Sequence, residues 1–176
     1  ADADDDAGDN AGAVYVYDLA TFTEQAKLLN PKGGSYFGDT IKSTNNKLMV
    51  SHRNYDTGRV FVYDTSDFSA APVELEPVAP YTTESSFGMD LAVSTKHDKL
   101  FVCHRNVNDA VSGHAYGGAV YVYDLNNLSV TPEKILIEDS TEYFGEEMSV
   151  VGNTVWIASM KGDSNSAIYG YDITDL

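Results

Sequence analysis

Gly118-Ala119-Val120-Tyr121-Val122-Tyr123-Asp124 is the stretch on which the fold turns. Valine alternates with tyrosine, so both faces of an extended segment are apolar and both must be covered. The phrase returns as Gly58-Arg59-Val60-Phe61-Val62-Tyr63-Asp64, as Gly12-Ala13-Val14-Tyr15-Val16-Tyr17-Asp18 and, more loosely, as Ala167-Ile168-Tyr169-Gly170-Tyr171-Asp172. Working upstream, all but the Gly12 copy are preceded by an apolar run, Lys47-Leu48-Met49-Val50-Ser51, Lys99-Leu100-Phe101-Val102-Cys103 or Val155-Trp156-Ile157-Ala158-Ser159, and before it by Phe37-Gly38, Phe87-Gly88 or Phe144-Gly145. Self-similarity at a period of about 50–60 residues marks an array of supersecondary units.

Strand signals fill each unit. A half-apolar stretch follows each Phe-Gly, covering 39–43, 89–93 and 146–150, then a turn rich in Asn, Gly, Lys or Asp, then the apolar run. Runs of this length rich in β-branched and aromatic residues read as buried strands. Val73-Glu74-Leu75-Glu76 and Lys134-Ile135-Leu136-Ile137-Glu138 alternate polar with apolar beside Pro72, Pro77 or Pro132, as edge strands do. No segment carries a 3.6-residue apolar stripe, so almost no helix is expected.

Short antiparallel strands, with the middle ones covered on both faces and one at an edge, describe a β-propeller blade. A linear solenoid is the alternative arrangement of such repeats. The expectation is an all-β chain of about three four-stranded antiparallel blades plus one orphan strand at residues 13–18. Its divisions are an acidic segment 1–11, a partial repeat 12–30, and repeats over 31–66, 67–125 and 126–176. Propellers close with about four or more blades, so the chain is expected to belong to a larger propeller or to one completed by oligomerisation. The first is preferred, because a chain that starts in mid-repeat would otherwise leave a strand unpaired.

Phe-Gly, a strand, a Val-Ser or Val-Cys centre and Gly-x-Val-Tyr-Val-Tyr-Asp together resemble the FG-GAP repeat of integrin α-subunit propellers and of bacterial and viral surface proteins. The resemblance runs from Gly12 to Asp172, with the Gly-Ala-Pro centre of that family replaced by Ser51-His52-Arg53, Cys103-His104-Arg105 and Ala158-Ser159-Met160. It implies a propeller with a binding role. It does not carry over the family's calcium sites, because the loops at 43–46, 94–98 and 151–154 hold too few carboxylates for the roughly six to eight oxygens calcium takes.

Composition narrows the partners. With 43% apolar residues the chain can bury a core, and no apolar run is long enough for a membrane helix, so membrane insertion is not expected. There is no initiating Met and no basic-then-apolar leader, which leaves a processed leader or a truncated chain open. A formal charge of −16 repels phosphate backbones and anionic membranes, so nucleic acid is not an expected partner. Divalent cations, basic partners or plain solubility in salt suit such acidity. One cysteine leaves no intrachain disulfide.

The candidate ligand-binding residues are His52, Arg53, Asn54 and His104, Arg105, Asn106, together with Tyr55 and Tyr116 in loops. His-Arg-Asn after a buried strand would line one end of the blades, with arginine reading a carboxylate or sulfate; the plain alternative is that these side chains bond nearby carbonyls and acids. Exposed tyrosine suits protein or sugar recognition as well as ordinary loop packing. Asp2, Asp4, Asp6 and Asp9 alternate like a calcium loop but lack its Gly and closing Glu, and acidic termini are commonly just solvated. Otherwise no cofactor is expected. Cys103 corresponds to Ser51 and Ala158, so that position asks for small volume and not for a nucleophile. Asp18, Asp64, Asp124 and Asp172 each end a strand and read as turn formers. Asn127-Leu128-Ser129 is a glycosylation sequon, meaningful only in a eukaryotic secretory setting.

None of the common hydrolase, zinc-protease, Walker or dinucleotide motifs occurs, and no acid-base pair recurs, so no catalytic residue is assigned. The expected function is a non-enzymatic structural or recognition module for adhesion, protein or glycan binding, or assembly. Its expected place is extracellular, on a cell surface or on a virion, with self-association or other chains of a larger assembly among its partners. The alternative is a propeller hydrolase or lyase acting on polysaccharide through His52, His104 and a carboxylate such as Asp56 or Asp109.

Overall fold

A computed structural model describes residues 11–33, 36–44, 46–53, 58–78, 86–107, 117–137, 143–160 and 166–176. Their thirteen strands are β1 (Ala13–Tyr17), β2 (Glu24–Leu29), β3 (Phe37–Ser43), β4 (Lys47–His52), β5 (Arg59–Asp64), β6 (Val73–Leu75), β7 (Phe87–Ser94), β8 (Lys99–Val107), β9 (Gly117–Asp124), β10 (Lys134–Leu136), β11 (Phe144–Val151), β12 (Thr154–Ser159) and β13 (Ala167–Asp172). The one helical turn among the described residues is 3₁₀, Ile173–Asp175. All strand pairing is antiparallel and local, giving sheets β1-β2, β3-β4-β5-β6, β7-β8-β9-β10 and β11-β12-β13, here called the first to the fourth.

Two expectations need correcting. The strand at 13–17 is not an orphan, because it pairs with Glu24–Leu29 over five residue pairs. That partner is half polar (EQAKLL) and turns only Ala26 and Leu28 toward the core, too few apolar positions to stand out in sequence. The weak edge strands, which the divisions 67–125 and 126–176 place ahead of the next Phe-Gly strand, close the sheet before it. Val73 pairs with Val62 and Leu75 with Val60, so β6 belongs with the Phe-Gly strand before it. Fully buried Leu75 and the Arg59 Nε to Glu74 Oε1 contact at 2.6 Å hold it there. The result is two four-stranded sheets, one of three strands and one of two.

Successive sheets pack face to face through three apolar cores. Val14 and Leu28 of the first sheet meet Phe37, Leu48, Val50 and Phe61 of the second. Met49, Val60, Val62 and Leu75 meet Phe87, Leu91, Leu100, Val102, Tyr121 and Tyr123 of the third. Phe101, Cys103, Val120 and Val122 meet Phe144, Met148, Val155 and Ile157 of the fourth. Strand β9 is therefore buried on both faces, as its Val-Tyr alternation demands, whereas Tyr15, Tyr17 and Ile168 at the two ends of the stack are exposed.

The recurring Phe-Gly is the joint between sheets. Gly88 and Gly145 have φ of 80° and 92°, a region where a side chain is strained. Each marks the start of a register shift in its strand, between Phe87 and Leu91 and between Phe144 and Met148. The bulge brings the turn against the preceding sheet. A Cβ on Gly88 would lie 2.8 Å from Val60 Cγ2, and one on Gly145 would lie 3.0 Å from Val120 Cγ2 and 3.1 Å from Cys103 Sγ. The approach is mutual, since a Cβ on Gly118 would meet the Phe144 backbone, 2.6 Å from its nitrogen, and one on Gly58 would lie 3.0 Å from the Phe87 nitrogen. The sequence repeats these glycines because two backbones meet there.

Candidate functional site

Repetition places His52 and His104 alike, at strand positions paired with the Phe-Gly phenylalanine: Phe37 with His52, Phe87 with His104, and Phe144 with Ser159 in the fourth sheet. An imidazole next to that ring is drawn into the core. His52 is 1% exposed and His104 0%. The His52 ring lies 6.4 Å from the Phe61 ring in a stacked arrangement. His104 meets the Phe87 edge at 5.7 Å, with its Nδ1 3.4 Å from the Tyr121 hydroxyl. Neither histidine faces the rim expected of it.

The arginines do reach the surface, and each finds an aromatic ring and an acid. Arg53 sits 5.2 Å over the Tyr36 ring, its Nε 3.7 Å from Asp39 Oδ2. Arg105 sits 4.3 Å over the Tyr143 ring, its Nε 2.8 Å from Glu146 Oε2 and its Nη1 3.7 Å from Met89 Sδ. Arg53 folds back on its own sheet, whereas Arg105 crosses to the next one. Sequence explains the difference: the second and fourth sheets begin Tyr-Phe-Gly-acid, but the third begins Ser86-Phe87-Gly88-Met89 and offers neither ring nor carboxylate. Tyr36 and Tyr143 hold φ of 66° and 55°, uncommon for tyrosine and concentrated where strain serves a contact. The Tyr-Phe-Gly-acid pattern is legible in the chain, whereas its meeting with an arginine is a contact in space that leaves no local signal.

Of the other candidates, Asn54, Tyr55, Tyr116, Asp2, Asp4, Asp6 and Asp9 lie outside the described residues, as do Asp56, Asp109 and the Asn106 side chain. Among the described residues no three His, Cys, Asp or Glu side chains gather as a metal set. Cys103 is fully buried, and burial pushes its thiol up to about 12, so it stays protonated at neutral pH. The strand-end aspartates act in turns: Asp18 accepts from the Ala20 and Thr21 amides, Asp64 from Ser66, Asp124 from the Asn126 amide and Asp172 from Thr174, at 2.6–3.0 Å.

Among the described residues, clefts open to solvent on the sheets. One of about 250 Å³ lies where β3, β7 and β11 come together, between Lys42, Ala92, Thr95 and Ser149. The second, about 180 Å³, lies on the fourth sheet between Glu147, Trp156, Ala158 and Ile168. Asp90, next to the first cleft on β7, accepts from the Met148 amide at 2.6 Å, and its burial raises its pKa above the usual carboxylate value. No protein-family model matches the chain, and no curated protein matches it in sequence.

Proposed function

We propose that the chain is a non-enzymatic structural and recognition module, built of FG-GAP-like propeller blades, that binds protein or glycan surfaces or assembles with other chains on a cell surface or virion. The observation that carries this reading is the burial of His52 and His104. The recurrent residues best suited to acid-base work sit against Phe61 and Phe87 inside the stack, out of reach of a polysaccharide. Contacts among the Phe-Gly strands support the blade arrangement, since β3 lies against β7 and β7 against β11 while β6 and β10 close the far edges of their sheets. Exposed Tyr36, braced by Arg53, supplies rigid stacking area for recognition.

A glycan array with neutral and acidic sugars, run beside an assay for released reducing ends and unsaturated uronates, tests the reading. The expected outcome is binding weakened by Tyr36→Ala, with no product released. Sustained turnover that survives repurification and is lost in His104→Gln would overturn it in favour of the hydrolase or lyase.

A further inference from the structure

The fourth sheet turns an apolar face to solvent, and the other sheets of the chain indicate what belongs there. On the second sheet, the face containing Met49, Ser51 and Val60 is covered by the third, with Gly88 seated against Val60 and Ser51. On the third, the face of Phe101, Cys103 and Val120 is covered by the fourth, with Gly145 seated against Val120 and Cys103. By register the same positions of the fourth sheet are Trp156, Ala158 and Ile168. Trp156 is 45% exposed and Ile168 72% exposed, and the 180 Å³ cleft runs between them over Ala158.

A second contact recurs along with the seat. Two residues after each Phe-Gly glycine, one side chain reaches the backbone of the following sheet. Thr40 Oγ1 donates to Met89 O at 3.1 Å, and Asp90 Oδ2 accepts from Met148 N at 2.6 Å. Glu147 holds that position in the fourth sheet and lines the cleft. An apolar socket, a small residue at its floor and a polar arm are thus all present without their counterpart among the described residues.

We propose that this face is a docking seat for a partner polypeptide that presents a Phe-Gly-led β-strand pair of the same kind. A second copy of this chain does not fit the seat. Its three Phe-Gly pairs are already used, Phe37, Phe87 and Phe144 being buried, and its first sheet presents Tyr15 and Tyr17 from β1-β2 without a Phe-Gly strand. The inference deepens the assembly reading above and rests on it. Its failure is separable, because the glycan and turnover assays use no such partner.

The single tryptophan of the chain, Trp156, lies in the seat and reports on it. The probe is a synthetic hairpin peptide with the sequence of residues 86–107, serine replacing Cys103 to prevent oxidation, titrated to millimolar concentration into the full chain. A control peptide carries Gly88→Val. The expected result is a saturable blue shift of Trp156 emission with the first peptide and none with the control. Ala158→Leu, which fills the floor of the seat, should weaken binding by about tenfold or more, the equivalent of 1.4 kcal/mol of overpacking. Equal shifts with both peptides, or no saturable shift, would overturn the proposal. So would dimers of the peptide-free chain in native mass spectrometry with concentration-dependent Trp156 emission, since the face would then belong to a second copy.

Discussion

Gly118→Ala isolates the joint between sheets from every other role of glycine. The φ of Gly118 is not in the left-handed region, so alanine suits its backbone. The added methyl would instead sit 2.6 Å from the Phe144 nitrogen and 2.8 Å from its carbonyl carbon, nearer still to the oxygen, and backbone atoms cannot rotate away. The third and fourth sheets must therefore separate locally, loosening Phe144 against Cys103 and Val120. Overpacking of this kind costs roughly 3 kcal/mol. At about 2–4 °C per kcal/mol for a chain of this size, the Tm should fall by about 6–12 °C. Gly152→Ala is the matched control, because Gly152 has φ of 63° and nothing within 4 Å of its Cβ position. Only backbone strain is at stake there, about 1–2 kcal/mol. Both variants are read by thermal unfolding followed by circular dichroism and calorimetry. A Gly118→Ala protein that melts with the wild type, or above Gly152→Ala, refutes the close approach of the two backbones.

Three further outcomes follow from the same contacts. Hydrogen bonds from the Thr21 amide to Asp18, and from the hydroxyls of Ser66, Ser69 and Thr174 to Asp64, Asp67 and Asp172, hold these carboxyls below their ordinary value of 3.8. The unfolded chain binds protons first, so their stabilisation is present above about pH 4 and is lost as pH falls through the lowered native values. Asp64→Asn combined with Asp172→Asn should flatten the decline of Tm between about pH 4 and pH 2, and an unchanged slope would count against this role. Asp90 has the opposite sign: burial raises it, so its ionisation costs stability as pH rises through its native value, and Asp90→Asn, which keeps an acceptor for the Met148 amide, should gain in Tm relative to wild type from pH 4 toward pH 8. Cys103 should resist Ellman's reagent until the chain unfolds. Cys103→Ser should cost less than about 1 kcal/mol, since Ser51 fills the equivalent place and accepts from the Thr40 amide at 2.8 Å, whereas Cys103→Leu, pressed against Gly145, should cost about 1–3 kcal/mol.

Strands and their antiparallel grouping were legible because burial on both faces leaves runs such as 100–103 and 119–123 apolar at every position. The small residue at 51, 103 and 158 was legible too, although the reason for it at 51 and 103, a glycine of the next sheet resting on it, is a contact between repeats and leaves no local signal. The strand at 24–29 escaped notice because an outer strand with one covered face needs only Ala26 and Leu28. The histidines misled in the other direction. A polar residue at a strand end reads as a rim residue, but the register partner of each is a core phenylalanine, and that pairing decides where the imidazole goes.

Stacking of nearest-neighbour sheets through Phe-Gly joints is most directly tested by native-state hydrogen exchange on wild type and Gly118→Ala. In the wild type, β8 and β9, in the sheet covered on one face by a four-stranded sheet and on the other by a three-stranded one, should exchange most slowly. In the variant, protection should fall in β11–β13, beyond the damaged joint, while β3–β5 keep theirs. Uniform loss of protection across all sheets, or loss in β3–β5 with β11–β13 intact, would contradict the account.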